Sequence, residues 1–392
     1  QMWCSDWEAS SHLAIWPESK RLKSALKERR KGTKYTMPGL KHDVFDTEVL
    51  EGPMKEILKT SFKKIDMAAN QEALASLVDA REHQMAVAAT GQILTLLGHG
   101  METTGRSATI TPYALEIWTF RFQLLLGLKK HKELLDELST FEELDAPDLF
   151  FQYHDDNKKG SMVPFSLRMI HSEALVYSPL PKQALARICR LVNDTELVLE
   201  MVKGSTSPSH HVDCWRKRLS TVTYLKIRLL HILGESQLVL DSVEEIHSAS
   251  EDNDEKRKLS LLLCRLHLNR SEQVKAENAL QSMSDSQSET MQHKSFLSIA
   301  AGDAKKMAGI QMQIKSDDQS LTDLNNLAVS KLYIGKPTEA ADILINEARR
   351  CISSKTRLHP SIALNLKTII DVALPAATKS MLHAELASVL PQ

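Results

Sequence analysis

Aromatic residues make up only 5% of this 392-residue chain, and its five cysteines (Cys4, Cys189, Cys214, Cys264 and Cys351) lie scattered with no C-x-x-C pair. The first shortage argues against sheet-rich folds, which draw on aromatic and β-branched side chains. The second excludes a disulfide scaffold and points to a reduced intracellular compartment. No apolar run approaches the roughly 18 residues that span a bilayer; the densest, Phe122–Leu128, is seven residues long. The residues after Gln1 hold no apolar signal core. Net charge is only −1, so no overall field draws the chain to nucleic acid or acidic lipid. The H-E-x-x-H, G-x-S-x-G and dinucleotide patterns are missing, and no Ser-His-Asp or Cys-His set assembles. No enzymatic activity, catalytic residue, cofactor or small-molecule substrate is expected.

What is present favours helix. The chain is 42% hydrophobic and 25% charged, enough to bury a sizeable core. The clearest pattern runs from Ser320 to Arg350. Leu321, Leu324, Leu327, Ala328 and Leu332 recur at steps of three and four, one apolar stripe on a helix. Ser320 stands as an N-cap with Asp323 in the first turn. Gly335 offers a left-handed stop, and Pro337 can begin a helix but not continue one. Ala340, Ala341, Leu344 and Ala348 then line the second helix. Stepping back 32 residues from Ala340 reaches Ala308, and 32 more reaches Ala276. Around Ala276 stand Leu263, Cys264 and Leu280. Around Ala308 stand Gly302 and Met312, with Ser295 and Phe296 on the preceding helix. A less regular unit passes through Leu225–Ile246 with Gly234 in its turn. This order of residues resembles the tetratricopeptide repeat (TPR), and the common step strengthens it. The expected fold is all-α: a TPR-like solenoid of antiparallel helical hairpins in a right-handed superhelix.

The expected organisation has five parts. Residues 1–55 form a basic, Trp-bearing and poorly ordered segment. Residues 56–203 form an N-terminal helical half, with helices over Met67–Val78, Gln84–Leu97, Leu115–Leu128 and His131–Phe141, the last two turning at Gly127. Residues 204–214 are a linker loop, 215–352 the repeat array, and 353–392 capping helices over Ser361–Leu374 and Ala376–Leu390, divided by Pro375. Glu251–Glu255 reads as an acidic connector.

Several clusters invite chemistry and are better read without it. Lys20–Lys34 holds eight Lys or Arg against the single acid Glu28. Phosphoinositide, RNA or import-receptor binding would use such a run, but a solvated tail or the polar face of a short helix is the simpler reading. Basic and aromatic residues do not alternate there as single-strand binders require. Gly98–Gly105 lacks the spacing and lysine of a phosphate loop and follows a helix pattern where a strand is needed. His154, Asp155 and Asp156 share one loop, and His210, His211, Asp213 and Cys214 are adjacent rather than at i, i+4, so no metal is expected at either. His171 lies on the apolar stripe Leu167, Ile170, His171, Ala174, which marks a core histidine.

Two stretches are idiosyncratic. One runs Leu144, Asp145, Ala146, Pro147, Asp148, Leu149, Phe150, Phe151, Gln152, Tyr153. The other runs Gly160, Ser161, Met162, Val163, Pro164, Phe165, Ser166, Leu167, Arg168, Met169, Ile170, His171, Ser172, Glu173. With Thr90–Thr95, Asn325–Val329, Leu332–Lys336 and Leu364–Leu366, they make the chain resemble the family of TPR-containing subunit 12 of the transport protein particle (TRAPP) membrane-tethering complex. The resemblance covers roughly residues 65–375 and is carried above all by Ser161–His171. It implies a non-enzymatic scaffold in endoplasmic reticulum-to-Golgi transport, cytoplasmic and peripheral to Golgi membranes. The implied partners are other TRAPP subunits, the large scaffold subunits foremost, with a Rab GTPase and vesicle or Golgi membranes reached indirectly. Two departures stand out: the turn before Ala276 has Asn269, Arg270 and Ser271 in place of glycine, and the helix before Ala308 is polar. Another TPR function, clamping a chaperone's C-terminal carboxylate, needs polar groups on successive repeats. At the place of Asn326 the preceding repeats offer Lys294 and Leu262, so that clamp is not sustained.

Overall fold

A computed structural model describes residues 14–28, 33–36, 38–41, 71–80, 82–101, 109–204, 209–281, 288–313, 320–354 and 358–386. Among them lie 18 α-helices. In order these are α1 (Lys20–Lys27), α2 (Gln71–Asp79), α3 (His83–Leu96), α4 (Pro112–Gly127), α5 (His131–Leu138), α6 (Phe151–His154), α7 (Phe165–Ala174), α8 (Gln183–Lys203) and α9 (Ser209–Ile232). There follow α10 (Ser236–Ala249), α11 (Asn253–Asn269), α12 (Gln273–Leu280), α13 (Ser288–Ala300), α14 (Ala304–Gln313), α15 (Leu321–Tyr333), α16 (Pro337–Ser353), α17 (Pro360–Ala373) and α18 (Ala376–Glu385). The only extended pairing among the described residues is an isolated antiparallel bridge between Phe150 and Ser161. The all-α, helical-hairpin reading therefore holds. No described helix is long and apolar enough to cross a membrane.

One turn chemistry recurs along the chain. Helices α3, α4, α9, α11, α13 and α15 are each followed by a residue at positive φ: Gly98, Lys129, Gly234, Ser271, Gly302 and Gly335. The next residue's N–H donates to the carbonyl five residues back, as in Lys130 to Leu125, Glu272 to His267, Asp303 to Ser298 and Lys336 to Lys331. This is the Schellman closure, which satisfies a carbonyl the helix end would otherwise leave open. After Lys129, Gly234, Ser271, Gly302 and Gly335 the next helix starts two residues later. The turn of α4 is thus made by Lys129, not Gly127, which is the last residue of the helix. Ser271 takes the left-handed place that the missing glycine left open.

Counted at these turns, the spacing is 31 residues from Ser271 to Gly302 and 33 from Gly302 to Gly335. A uniform step of 32 set Ala308 against Ala276 and Ala340. The turns instead align Met307 with Ala276 and Ala340, each the fourth residue of its helix, and Ala308 with Ala341. Met307 and Ala308 are both buried, so either register reads as apolar.

The chain divides into two compact units, Gln1–Val239 and Leu240–Gln392, with the division inside α10. It does not fall at the expected linker: residues 209–214 are the first turns of α9, and 205–208 lie outside the described residues. In the first unit Trp118, Phe122 and Phe141 pack edge-on or tilted with ring centroids 5.3–5.9 Å apart, within an apolar core shared by α1 to α7. A second cluster packs α8 and α9 around Trp215. In the second unit one core runs through α15 to α18 and a smaller one joins α11 to α12. The hairpin α13–α14 lies between them in sequence and buries Thr290, His293, Ser295 and Ser298.

Candidate interaction surfaces

The segment Ser161–His171 is buried rather than displayed. Its backbone is bonded on both edges: the Ser161 N–H donates to the Ala14 carbonyl at 2.8 Å, and the Met162 N–H to the Leu149 carbonyl at 2.9 Å. Gly160 sits at φ +108°, and a Cβ there would stand 2.2 Å from the Ala14 oxygen, so only glycine fits. Pro164 caps α7 and opens it, Ser161 Oγ accepts from the Val163 N–H at 3.2 Å, and Ser166 is half-buried on the first turn. Phe165 meets Trp215 edge-on at 6.0 Å. Arg168 donates to Ser161 Oγ at 2.7 Å and lies 3.9 Å over the Trp16 ring. Burial lowers its pKa to about 9, with Asp194 and Asp145 opposing, so it stays charged at neutral pH. His171 Nε2 is 2.6 Å from the Glu142 carbonyl, and burial lowers its pKa to about 4. It is the partnered core histidine its place on the stripe suggested.

Together with Glu142–Tyr153, this segment packs on residues from Ala14 onward, within the stretch that the sequence reads as poorly ordered. Within residues 14–41 the described parts are folded in. Asp148, itself buried, accepts from the Tyr35 N–H at 2.9 Å, the Thr36 N–H at 2.7 Å and the Thr36 hydroxyl at 2.8 Å. Tyr153 donates to the Thr33 carbonyl at 2.7 Å, and Ser19 to the Asp145 carbonyl at 2.7 Å. Arg21 reaches Glu142 at 2.5 Å and Asp145 at 3.1 Å. Trp16 lies 6.4 Å from Trp215. Trp3 and Trp7 lie outside the described residues. Composition misleads here because a Lys-rich stretch with a few apolar residues looks like a tail; the contacts that hold Ser19, Arg21, Thr33, Tyr35 and Thr36 lie more than a hundred residues away. The signal that could have found them is the pairing of Trp16 and Gly160 with an Asp-x-x-Asp turn.

The repeat residues fall in the hairpins. Leu263, Cys264, Ala276, Leu280, Ala308, Ala328, Ala340 and Leu344 are buried, while Leu324 and Leu327 are half-buried. Gly302 and Gly335 are turn residues, and a Cβ on either would meet nothing within 4 Å, so they answer to φ rather than to space. Burial raises the Cys264 thiol to about 11, which makes it an inert core group. Ser320 and Asp323 form a full capping box. Exposed apolar side chains in this unit include Tyr333, Val372, Leu364 and Met381.

The clusters weighed for metal are occupied otherwise. His154 Nε2 is 2.9 Å from the Asp148 carbonyl, and Asp155 accepts from the Asn157 N–H. His210 and His211 lie tilted to each other within α9, with ring centroids 4.1 Å apart, and Asp213 pairs with Arg216 at 2.9 Å. Among the described residues no three His, Cys, Asp or Glu side chains converge as a metal site would need. Gly98 closes α3, and residues 102–108 lie outside the described residues.

No family model matches the chain. Among curated proteins it is similar to "Trafficking protein particle complex subunit 12" of Homo sapiens, 26% identical over 372 residues, 86% of this chain and 50% of that protein. The Mus musculus protein of the same name is 26% identical over 369 residues, 86% of this chain and 46% of its own length. The chain thus spans about half the length of the curated relatives it matches. Among solved structures it is similar to a tetratricopeptide repeat protein from Parabacteroides merdae, with a TM-score of 0.37 and 11% identity over 70% of this chain and 98% of that one.

Proposed function

We propose that this chain, a relative of trafficking protein particle complex subunit 12, is a non-enzymatic scaffold subunit of a TRAPP vesicle-tethering complex acting in endoplasmic reticulum-to-Golgi transport. The observation that carries the reading is sequence similarity over 86% of the chain, in an all-helical fold built of hairpins. Hairpin arrays offer long faces on which a partner's helix or extended segment binds through many weak contacts and a few anchors. Other TRAPP subunits, the large scaffold ones foremost, are the partners; a Rab GTPase and Golgi membranes are reached through the assembly. The working location is the cytoplasmic side of the Golgi. Residues 240–392 supply the docking face, because the signature residues of the first unit are spent on internal packing.

The test is affinity purification of the tagged chain, followed by mass spectrometry and gel filtration. Co-elution at high mass with TRAPP subunits is expected, and charged substitutions at exposed Tyr333 and Met381 should weaken it. Recovery as a free monomer, or with chaperones alone, would overturn the reading.

A further inference from the structure

We infer that the outer face of α1 is a docking site for an anionic membrane surface, a contact made by this chain itself in addition to those made through the assembly. The helix is pinned. Ser19 caps it, Leu22 and Ala25 are buried in the core, and Arg21 is tied to Glu142 and Asp145. At 100° per residue, Lys20, Lys23 and Lys27 fall on the face opposite Leu22 and Ala25, and all three are exposed. None of the three makes an ion pair with another described residue. Glu18 and Glu28, at either end of the helix, are the nearest acids in sequence. The row is about 10 Å long at 1.5 Å per residue, and in sequence it continues into Arg29, Arg30, Lys31 and Lys34. In a chain of net charge −1, this is a segregated positive patch on a fixed support.

The form of the patch selects its partner. The apolar side of α1 is already used inside the protein, so the helix contacts a surface through its ammonium groups and does not insert. Ammonium groups are point charges suited to a diffuse field of lipid phosphates, each worth about a fivefold gain in binding near an anionic leaflet. A single-stranded nucleic acid would need stacking platforms beside the lysines. The nearby aromatics are turned inward: Trp16 packs on Arg168 and Trp215, and Tyr35 lies edge-on to Tyr153 at 5.9 Å.

The experiment is co-sedimentation of the whole chain with phosphatidylcholine vesicles with and without phosphatidylserine. Binding only to the anionic vesicles, weakening with salt, is expected. The triple variant Lys20→Gln, Lys23→Gln, Lys27→Gln should lose roughly a hundredfold in partitioning, with an unchanged circular dichroism spectrum because all three residues are exposed. The triple Lys→Arg variant should keep the binding. Equal sedimentation of parent and Gln variant would overturn the inference. So would no preference for phosphatidylserine, or Lys-dependent binding to single-stranded RNA without vesicle binding.

Discussion

The described residues of the first unit are held by bonds between segments far apart in the chain, whereas those of the second are held by neighbours. In the first unit Asp148 holds Tyr35 and Thr36, Ser161 holds Ala14, and Tyr153 holds Thr33. A buried bidentate pair joins Arg121 to Glu137 at 2.8 and 2.9 Å, with Arg121 also donating to the Val87 carbonyl at 3.0 Å. In the second unit most of the described ion pairs lie at the surface, among them Lys331 and Lys336 with Glu339, Arg349 with Glu385, and Arg257 with Glu289. Its apolar cores are two separate clusters, and hairpin α13–α14 brings polar side chains inside. Thr290 Oγ1 and His293 Nε2 in this hairpin, and Asn326 Nδ2 on α15, are buried without hydrogen-bond partners, as are His83 Nδ1 and His131 Nδ1 in the first unit. A unit made of neighbour contacts can open locally without losing the rest, which suits a docking face. A unit cross-linked by buried polar groups behaves as one body.

The sharpest way to break that contrast is to cut one ion pair in each unit. Glu137→Ala leaves the Arg121 guanidinium buried and uncompensated, a loss of roughly 3–5 kcal/mol. Glu385→Ala removes a fully exposed partner of Arg349 and should leave stability almost unchanged. Urea unfolding of both variants reads the difference. Equal effects would mean that the two units do not differ in how charge is used.

Acid should also act through the first unit's interior. His171 has a folded pKa of about 4 against an ordinary value of 6.5, because burial disfavours its charged form. The unfolded chain therefore takes up the proton first. Stability is full above pH 6.5 and drains as pH falls toward 4, by up to roughly 3 kcal/mol for this group. His99 and His293 are shifted in the same sense by burial, so both units should soften. A His171→Gln variant, melted between pH 6.5 and 4, should lose less stability over that window than the parent. If its pH dependence matches the parent's, His171 does not carry the effect.

The two units were also unequally legible in sequence. Hairpins in the second unit could be read from Leu324, Ala328, Gly335 and Ala340 because their contacts are local, and periodicity encodes local contacts. The register error at Ala308 came from assuming a constant step, when each hairpin's length is set by where its helix stops. In the first unit the signature was visible as unusual residues, but its role was not. Ser161 and Gly160 are unusual because of Ala14, some 146 residues away, and no local pattern announces such a pairing. For the lysine run the sequence leaves a solvated tail and the polar face of a short helix both open, and over Lys20–Lys27 the burial of Leu22 and Ala25 makes it the helix.

The smallest effect tests what the units share. Lys129 in the first and Ser271 in the second close their helices at φ 59° and 61°, where Gly234, Gly302 and Gly335 do the same elsewhere. An L-residue in this conformation costs about 1–2 kcal/mol relative to glycine, of which glycine's greater freedom in the unfolded chain returns part. Lys129→Gly and Ser271→Gly should therefore each stabilise the protein by roughly 0.5–1 kcal/mol, and Gly335→Ala should destabilise it by a similar amount. Equal gains, read as rises in melting temperature, would make the Schellman turn an interchangeable part common to both units. A gain for Ser271→Gly with none for Lys129→Gly would mean that the first unit's surrounding contacts, rather than the turn itself, fix the angle between α4 and α5.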